Sequence, residues 1–212
     1  MKTTSMPQQA STCADLARST GAEVRQQAPE GGMHTVSALV PRCFPGGLLR
    51  RLRTSDVASF QAYRSIPELG RYQGWSPMSE ASAMAFLDEM NTRSLFTPGE
   101  WVQLGIEELD SQRLVGDIGL FLAADELAAE IGFTLEPAAQ GRGIATAAVR
   151  AAVQLLFETT KVQHVRGITD SRNGASVRLL GRAGFRHSST QQIVFRGELC
   201  FEEIYVLQRS DG

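Results

Sequence analysis

The sequence predicts an α+β domain on a mixed, mostly antiparallel central sheet flanked by helices. Three observations point there. Between Trp101 and Glu136, three strand-like stretches follow one another through connections short enough to imply antiparallel neighbours. The last of them, 128–136, passes through a glycine-containing loop into a long helical run, Thr146 to Glu158. A further strand, Val165 to Thr169, then completes a strand–helix–strand unit, whose two strands are expected to run parallel by a right-handed crossover.

Residues 1–47 are rich in Ser, Thr, Gln, Ala, Gly and Pro and lack a periodic apolar pattern. They are expected as an N-terminal tail, mobile or loosely packed, with Val36 to Val40 as a short extended piece and Met33 as an alternative start. The domain is expected over 48–212. Leu48 to Arg53 reads as a strand. Thr54-Ser55-Asp56 signals a helix start, with Val57, Phe60 and Tyr63 at helical spacing behind it. Pro67 ends that helix, and a loop carrying Tyr72, Trp75 and Pro77 follows. Ser79 caps a second helix with the stripe Ala83, Phe86, Leu87, Met90.

The strands 101–109, 114–123 and 128–136 form the meander. After the crossover helix and its following strand, Asn173 to Ala183 is a helix closed by Gly184, with Phe185 returning to the core. Gln191 to Phe195 and Leu199 to Leu207 make a terminal hairpin around Arg196-Gly197. The expected order is β-α-α-β-β-β-α-β-α-β-β.

Composition narrows the function. Apolar content of 42% and charged content of 21% are those of an ordinary soluble globular protein. A net charge of −2 argues against a nucleic-acid binder with a basic surface. No apolar run is long enough to span a bilayer, and Lys2 has no hydrophobic core behind it, so neither a membrane span nor a secretory signal is expected. Cys13, Cys43 and Cys200 are far apart, odd in number and without metal-ligand spacing; they read as free thiols in a cytoplasmic protein. His34, His164 and His187 form no pattern.

The chemistry concentrates in the loop Gln140-Gly141-Arg142-Gly143-Ile144-Ala145. Glycines between a strand and a helix start let main-chain N–H groups crowd around an anion, where the helix dipole already favours negative charge. A Walker loop is excluded, because it needs Gly-Lys-Ser/Thr and the only lysines are Lys2 and Lys161. A dinucleotide fingerprint is disfavoured, because Thr146 stands where its third glycine belongs.

The pattern Gln140-x-x-Gly143-x-Ala145 resembles the pyrophosphate-binding signature of the GCN5-related N-acetyltransferases, and the element order is that of their fold. Local phrases are similar to the RimJ/RimL-type, ribosomal-protein N-acetyltransferase branch. They are Leu-Arg-Arg-Leu-Arg-Thr-Ser-Asp at the first strand, Tyr-Gln-Gly-Trp-Ser-Pro (72–77), Leu-Val-Gly-Asp-Ile-Gly-Leu (114–120), Ala-Glu-Ile-Gly-Phe (129–133), Asn-Gly-Ala-Ser (173–176) and Ala-Gly-Phe (183–185). The resemblance covers about 48–208.

It implies acetyl-CoA as co-substrate, no metal, and direct transfer to a primary amine, either a protein N-terminus or a small molecule. The chain would act as monomer or homodimer. On this reading the main chain of Gly141, Arg142, Gly143, Ile144, Ala145 and Thr146, with Gln140, holds the diphosphate. Phe133, Thr134 and Leu135 hold the pantetheine arm and the acetyl oxygen. The tyrosine that many relatives use to protonate the thiolate is absent, Leu180 standing in its place. Asn173 and Ser176 match the branch's Asn-x-x-Ser, Ser176 as the proton donor and Asn173 on the pantetheine.

Glu130 is the first choice for the base, with Glu107, Glu108 and Asp117 in reserve. Tyr72, Trp75 and Glu130 are expected at the acceptor. The rival expectation is a non-catalytic acyl-CoA sensor or interaction module on the same fold.

Overall fold

The computed structural model describes residues 39–210. Cys13, Met33, His34 and the rest of the expected tail before residue 39 lie outside the described residues. Within them the order is β1 (Arg42–Phe44), β2 (Gly47–Arg51), α1 (Val57–Arg64), α2 (Pro67–Gly70), α3 (Glu80–Thr92), β3 (Trp101–Glu108), β4 (Leu114–Leu122), β5 (Ala128–Leu135), α4 (Ile144–Thr159), β6 (His164–Asp170), α5 (Gly174–Ala183), β7 (Arg186–Phe195) and β8 (Glu198–Gln208).

Among the described residues these strands form one sheet in the order β1-β2-β3-β4-β5-β6-β8-β7. The β5–β6 pair is parallel, as a strand–helix–strand unit requires, and the others are antiparallel.

Alternation along β5 divides the two sides of the sheet. Ala129, Ile131, Phe133 and Leu135 join the core beneath α4 and α5, where Ala148, Val149, Ala152, Leu155 and Leu156 are buried. The small residues of α4 let it lie close to the strands. Glu130, Gly132 and Thr134 take the opposite face. That face carries α1 and α3, whose Phe60, Tyr63, Ala83, Leu87 and Met90 close a second cluster with Leu52 and Leu114.

Helix ends follow the expected chemistry. Ser79 Oγ accepts from the Ser82 N–H at 3.2 Å at the start of α3. Gly184, at φ +103°, ends α5 and delivers Phe185 into the core. Asp56 departs from the simple cap. It is buried, it accepts from the Arg53 N–H at 2.8 Å, and its two oxygens clamp the Arg50 guanidinium at 2.7 and 2.8 Å.

Four expectations change. The sheet begins before residue 48: β1 pairs with β2, and Val40 and Phe44 are buried. Cys43 is disulfide-bonded rather than free, while Cys200 is a free, buried thiol. Pro67 opens the one-turn helix α2 instead of a loop, as suits a residue with no N–H to donate. Strand β7 starts at Arg186 rather than Gln191, with a register shift between His187 and Ser189. Its run Ser188 to Gln192 is exposed throughout, so no apolar alternation marks it in the sequence.

Candidate functional site

The parallel pair β5–β6 is short. Register holds from Ala128 opposite His164 to Ile131 opposite Gly167 and goes no further. Beyond it, residues 132–135 pair only with β4, and residues 168–170 only with β8. The two strands therefore part, leaving a wedge that opens toward the N-terminus of α4.

The ladder shows which main-chain groups face that wedge. Glu136 N–H donates to Val115 O at 2.8 Å. Hydrogen-bonded residues alternate along an antiparallel pair, so Thr134 and Gly132 also point at β4. Phe133 and Leu135 point the other way. Their carbonyls are met from outside the sheet, Phe133 O by Gln73 Nε2 at 3.1 Å and Leu135 O by Gln140 Nε2 at 2.9 Å. Of these three expected residues, the main-chain groups of Phe133 and Leu135 point away from β4 and those of Thr134 point at it.

At the wide end lies a cavity of about 710 Å³. The expected cofactor residues Phe133, Thr134, Leu135, Gln140, Gly141, Gly143, Ile144, Ala145, Thr146, Asn173 and Ser176 all line it, together with Tyr72. Gly141 and Gly143 sit at φ +75° and +83°, in the left-handed region, and a Cβ built on either meets nothing within 4 Å. The loop thus needs glycine for its backbone and presents bare main chain to open space.

Ala147 N–H donates to Gly143 O at 3.0 Å, so the helical ladder starts there. Among the described residues the N–H groups of 141–146 donate to no main-chain acceptor. Donors gathered at the positive end of a sixteen-residue helix suit a diphosphate.

Arg142 is the one expected cofactor residue that does not line the cavity. Its guanidinium pairs with Glu108 and is not part of the cavity wall. Gln140 works as a strut, tying the loop to the end of β5. Asn173 caps α5, its Oδ1 accepting from Ser176 N–H at 3.2 Å, and the Ser176 hydroxyl has no protein partner among the described residues. Leu180 packs over Gly167, where a Cβ would lie 2.5 Å from its Cδ2, so the inner end of the wedge carries no hydroxyl there.

Sequence reasoning missed several other wall residues. Glu68, Leu69 and Gln73 come from α2 and its loop, and Arg178 and Arg182 from the exposed side of α5. The arginines i and i+4 on one helix were the available signal.

The carboxylates separate. Asp117 is fully buried, accepting from Tyr63 Oη at 2.5 Å, Arg64 Nη2 at 2.7 Å and Gln103 Nε2 at 2.8 Å. Glu107 is buried against Arg50, and Glu108 is held by Ser111 and Arg142. None of these reserves faces the wedge.

Glu130 is different. It is half-buried on the α1 face of β5, and its nearest ion partner is Arg166 Nη2 at 3.8 Å. Burial pushes its carboxyl above the usual range; Arg166 opposes this and Glu202 adds to it. It stands beside the two cavities without lining either.

Tyr72 borders both the large cavity and the small one of about 40 Å³ within the wedge. The Arg172 guanidinium lies 5.5 Å from its ring and is fixed by Asp170 at 2.7 Å. Trp75 lines neither. Its ring lies under the Arg64 guanidinium at 4.5 Å and against Gly70, which makes it an anchor for the loop. Arg196, at the β7–β8 turn, donates to Gln73 O at 3.1 Å and Trp75 O at 2.8 Å, so both neighbours hold this loop.

Among the described residues no group of His, Cys, Asp and Glu has the arrangement of a metal site, and no helix is long and apolar enough to cross a membrane.

Comparison with known proteins agrees with this geometry. Residues 48–186 match the family described as acetyltransferase (GNAT) domain. An uncharacterized N-acetyltransferase of Bacillus subtilis (strain 168), YoaA, is 29% identical over 140 residues, which is 66% of this chain and 78% of that protein. Ribosomal L7/L12 alpha-N-protein acetyltransferase RimL, solved with coenzyme A, superposes with a TM-score of 0.67 at 16% identity, covering 77% of this chain and 94% of that one. Spermidine N-acetyltransferase from Vibrio cholerae, solved with CoA and spermine, gives 0.66 at 15% identity, covering 77% and 96%. At these identities the two structures attest the fold.

Proposed function

The chain belongs to the GNAT acetyltransferase family, and on that premise we propose that it transfers the acetyl group of acetyl-CoA directly to a primary amine bound beside β5. The observation that carries this is a single one. The N-terminus of α4, with its bare glycine loop, and the edge of Phe133 and Leu135, which pairs with no strand and whose carbonyls are met only by the side chains of Gln73 and Gln140, share one cavity. A thioester carrier has a diphosphate and an amide-bearing arm, and these two features answer its two ends.

The residues fit the group. The N–H groups of 141–146 would hold the diphosphate, and Arg178 and Arg182 supply positive charge at the rim. The edge of Phe133 and Leu135 would pair with the arm. Acetyl-CoA supplies an activated acetyl carbon and a thiolate leaving group. A fixed Phe133 N–H aimed at the developing oxyanion would lower the barrier by about 2.7–4 kcal/mol. The Ser176 hydroxyl, with no protein partner among the described residues, would give the departing sulfur a proton.

Glu130 is the base of choice, because among the described residues it has no hydrogen bond and its one ion partner, Arg166, stands off at 3.8 Å. An alkyl amine, with a pKa near 10.4, must lose a proton before it attacks. Tyr72 and Gln73 close one wall, with Trp75 behind them.

The acceptor is a protein N-terminus or a small amine. The RimL and spermidine enzymes act on one of each by their names. Calorimetry with coenzyme A, followed by thiol release from acetyl-CoA over a panel of peptides and small amines, tests the reading. Binding with amine-dependent release supports it. Binding without release favours an acyl-CoA sensor on the same scaffold.

A further inference from the structure

Gly132 has no reason of its own to be glycine. It lies on β5 one residue past Ile131, the last position paired with β6. Glycine inside a strand weakens it, and the usual compensations are a positive φ, a bulge, or a close neighbour occupying the place of a side chain. Gly132 is not among the residues with positive φ, and the β4–β5 register runs through it unbroken.

A Cβ built on it meets nothing within 4 Å. Its neighbours in the sheet behave oppositely. At Gly119, its partner across β4, the Cβ would lie 2.8 Å from Gln103 Oε1 and 3.2 Å from the Trp101 ring. At Gly116 it would strike Thr134 O at 2.3 Å, and at Gly167 the Leu180 side chain. Those glycines make room for the chain itself. At Gly132 nothing among the described residues takes that room.

That space has a direction. Gly132 shares its face of β5 with Glu130, two residues earlier, and faces away from the core beneath α4. The edge of Phe133 and Leu135 is directed differently, in the plane of the sheet. The small cavity at Gly132 is lined by Tyr72, Gln73 and Ile168, and it reaches Phe133, Asn173 and Ser176, where the donor would end.

We infer that Gly132 is a specificity-determining residue: its missing side chain leaves the opening through which the amine acceptor reaches the thioester carbonyl, and the size of the residue there limits the bulk at the carbon bearing the amine. The inference rests on the acetyltransferase reading and names the path of its acceptor. It also accounts for Glu130 on the same face, where a base would meet the incoming amine.

Gly132→Ala and Gly132→Leu in the full chain test it. Both are expected to melt at or above the wild-type temperature and to bind coenzyme A unchanged. Acceptor KM should rise by about tenfold or more in Gly132→Leu, with branched amines losing more than unbranched ones, since each methylene excluded from a fitted site is worth roughly 10- to 200-fold. Wild-type KM and amine preference in Gly132→Leu would overturn the inference. So would a parallel loss of coenzyme A affinity, because the space would then belong to the donor.

A second arm needs no turnover. Gly132→Cys should react with a maleimide equally fast with and without saturating desulfo-coenzyme A, which has no thiol of its own; the wild type serves as control for Cys200 and Cys43. Strong protection by that ligand would overturn the inference. A wild type that binds coenzyme A but acetylates no amine defeats the acetyltransferase reading alone, and the labelling still decides which side the space opens on.

Discussion

The side-chain amide of Gln73 donates to the carbonyl oxygen of Phe133 across 3.1 Å. One residue belongs to the loop after α2, the other to the edge of β5 that no strand pairs with, and the bond fastens the loop across the mouth of the wedge. Arg196 holds the same loop from the β7–β8 turn. Gln73→Ala should leave stability within about 1 kcal/mol, the worth of one ordinary hydrogen bond. It should lower kcat/KM for the amine by about tenfold through a wall that no longer closes. Urea unfolding and steady-state kinetics on one preparation check both halves.

Gly143 carries the cradle. At φ +83° a β-branched residue costs about 1–2 kcal/mol of strain, and its Cβ would enter the space in front of the amides. Gly143→Val should weaken coenzyme A binding by at least about tenfold, or 1.4 kcal/mol. Calorimetry on protein shown to be folded is the measurement, and unchanged affinity would remove the diphosphate from this loop.

Glu130 should betray itself through pH. Burial holds its carboxyl above the usual range, so the folded chain keeps this proton to higher pH than the unfolded chain does. The stability it contributes is complete below the unfolded value of about 4.3 and is lost as pH rises through the folded value. Glu130→Gln, neutral throughout, should therefore gain stability over wild type above that window and show no gain below it. If Glu130 is the base, the wild-type acid limb of kcat/KM against pH will lie above the ordinary carboxylate range. In Glu130→Gln that limb should vanish.

Ser176 and Asn173 separate by readout. Ser176→Ala removes a hydroxyl with no protein partner among the described residues, so its melting temperature should hold while kcat falls by about 10²-fold if it protonates the thiolate. Asn173→Ala removes the α5 cap and should cost about 1 kcal/mol of stability whatever else it does.

Asp117 is the structural control. It satisfies Tyr63, Arg64 and Gln103 at once inside the protein. Asp117→Ala strands a buried guanidinium and should cost about 3–5 kcal/mol, seen as a lower urea midpoint with unchanged slope. Because Arg64 also lies over Trp75, the loop after α2 should loosen in the same variant.

The amino-acid sequence by itself determined what depends on spacing along the chain. The glycine loop ahead of α4, the parallel β5–β6 unit, the Ser79 cap and the Gly184-Phe185 ending each follow from a few consecutive residues whose backbone chemistry permits little else. Only the tertiary structure decided what depends on partners far apart in the chain. It buried Asp117 and Glu107 in ion pairs with α1 and β2, turned Trp75 into an anchor, brought Gln73 to Phe133, and placed Arg178 and Arg182 at the rim. It also parted β5 from β6 after Ile131, leaving the main chain of Phe133 and Leu135 without a strand partner while Thr134 stays paired with β4. Periodicity states which face a side chain takes. Whether that face meets a guanidinium, a helix or an opening depends on where another element comes to rest, and no local pattern in this chain encodes that.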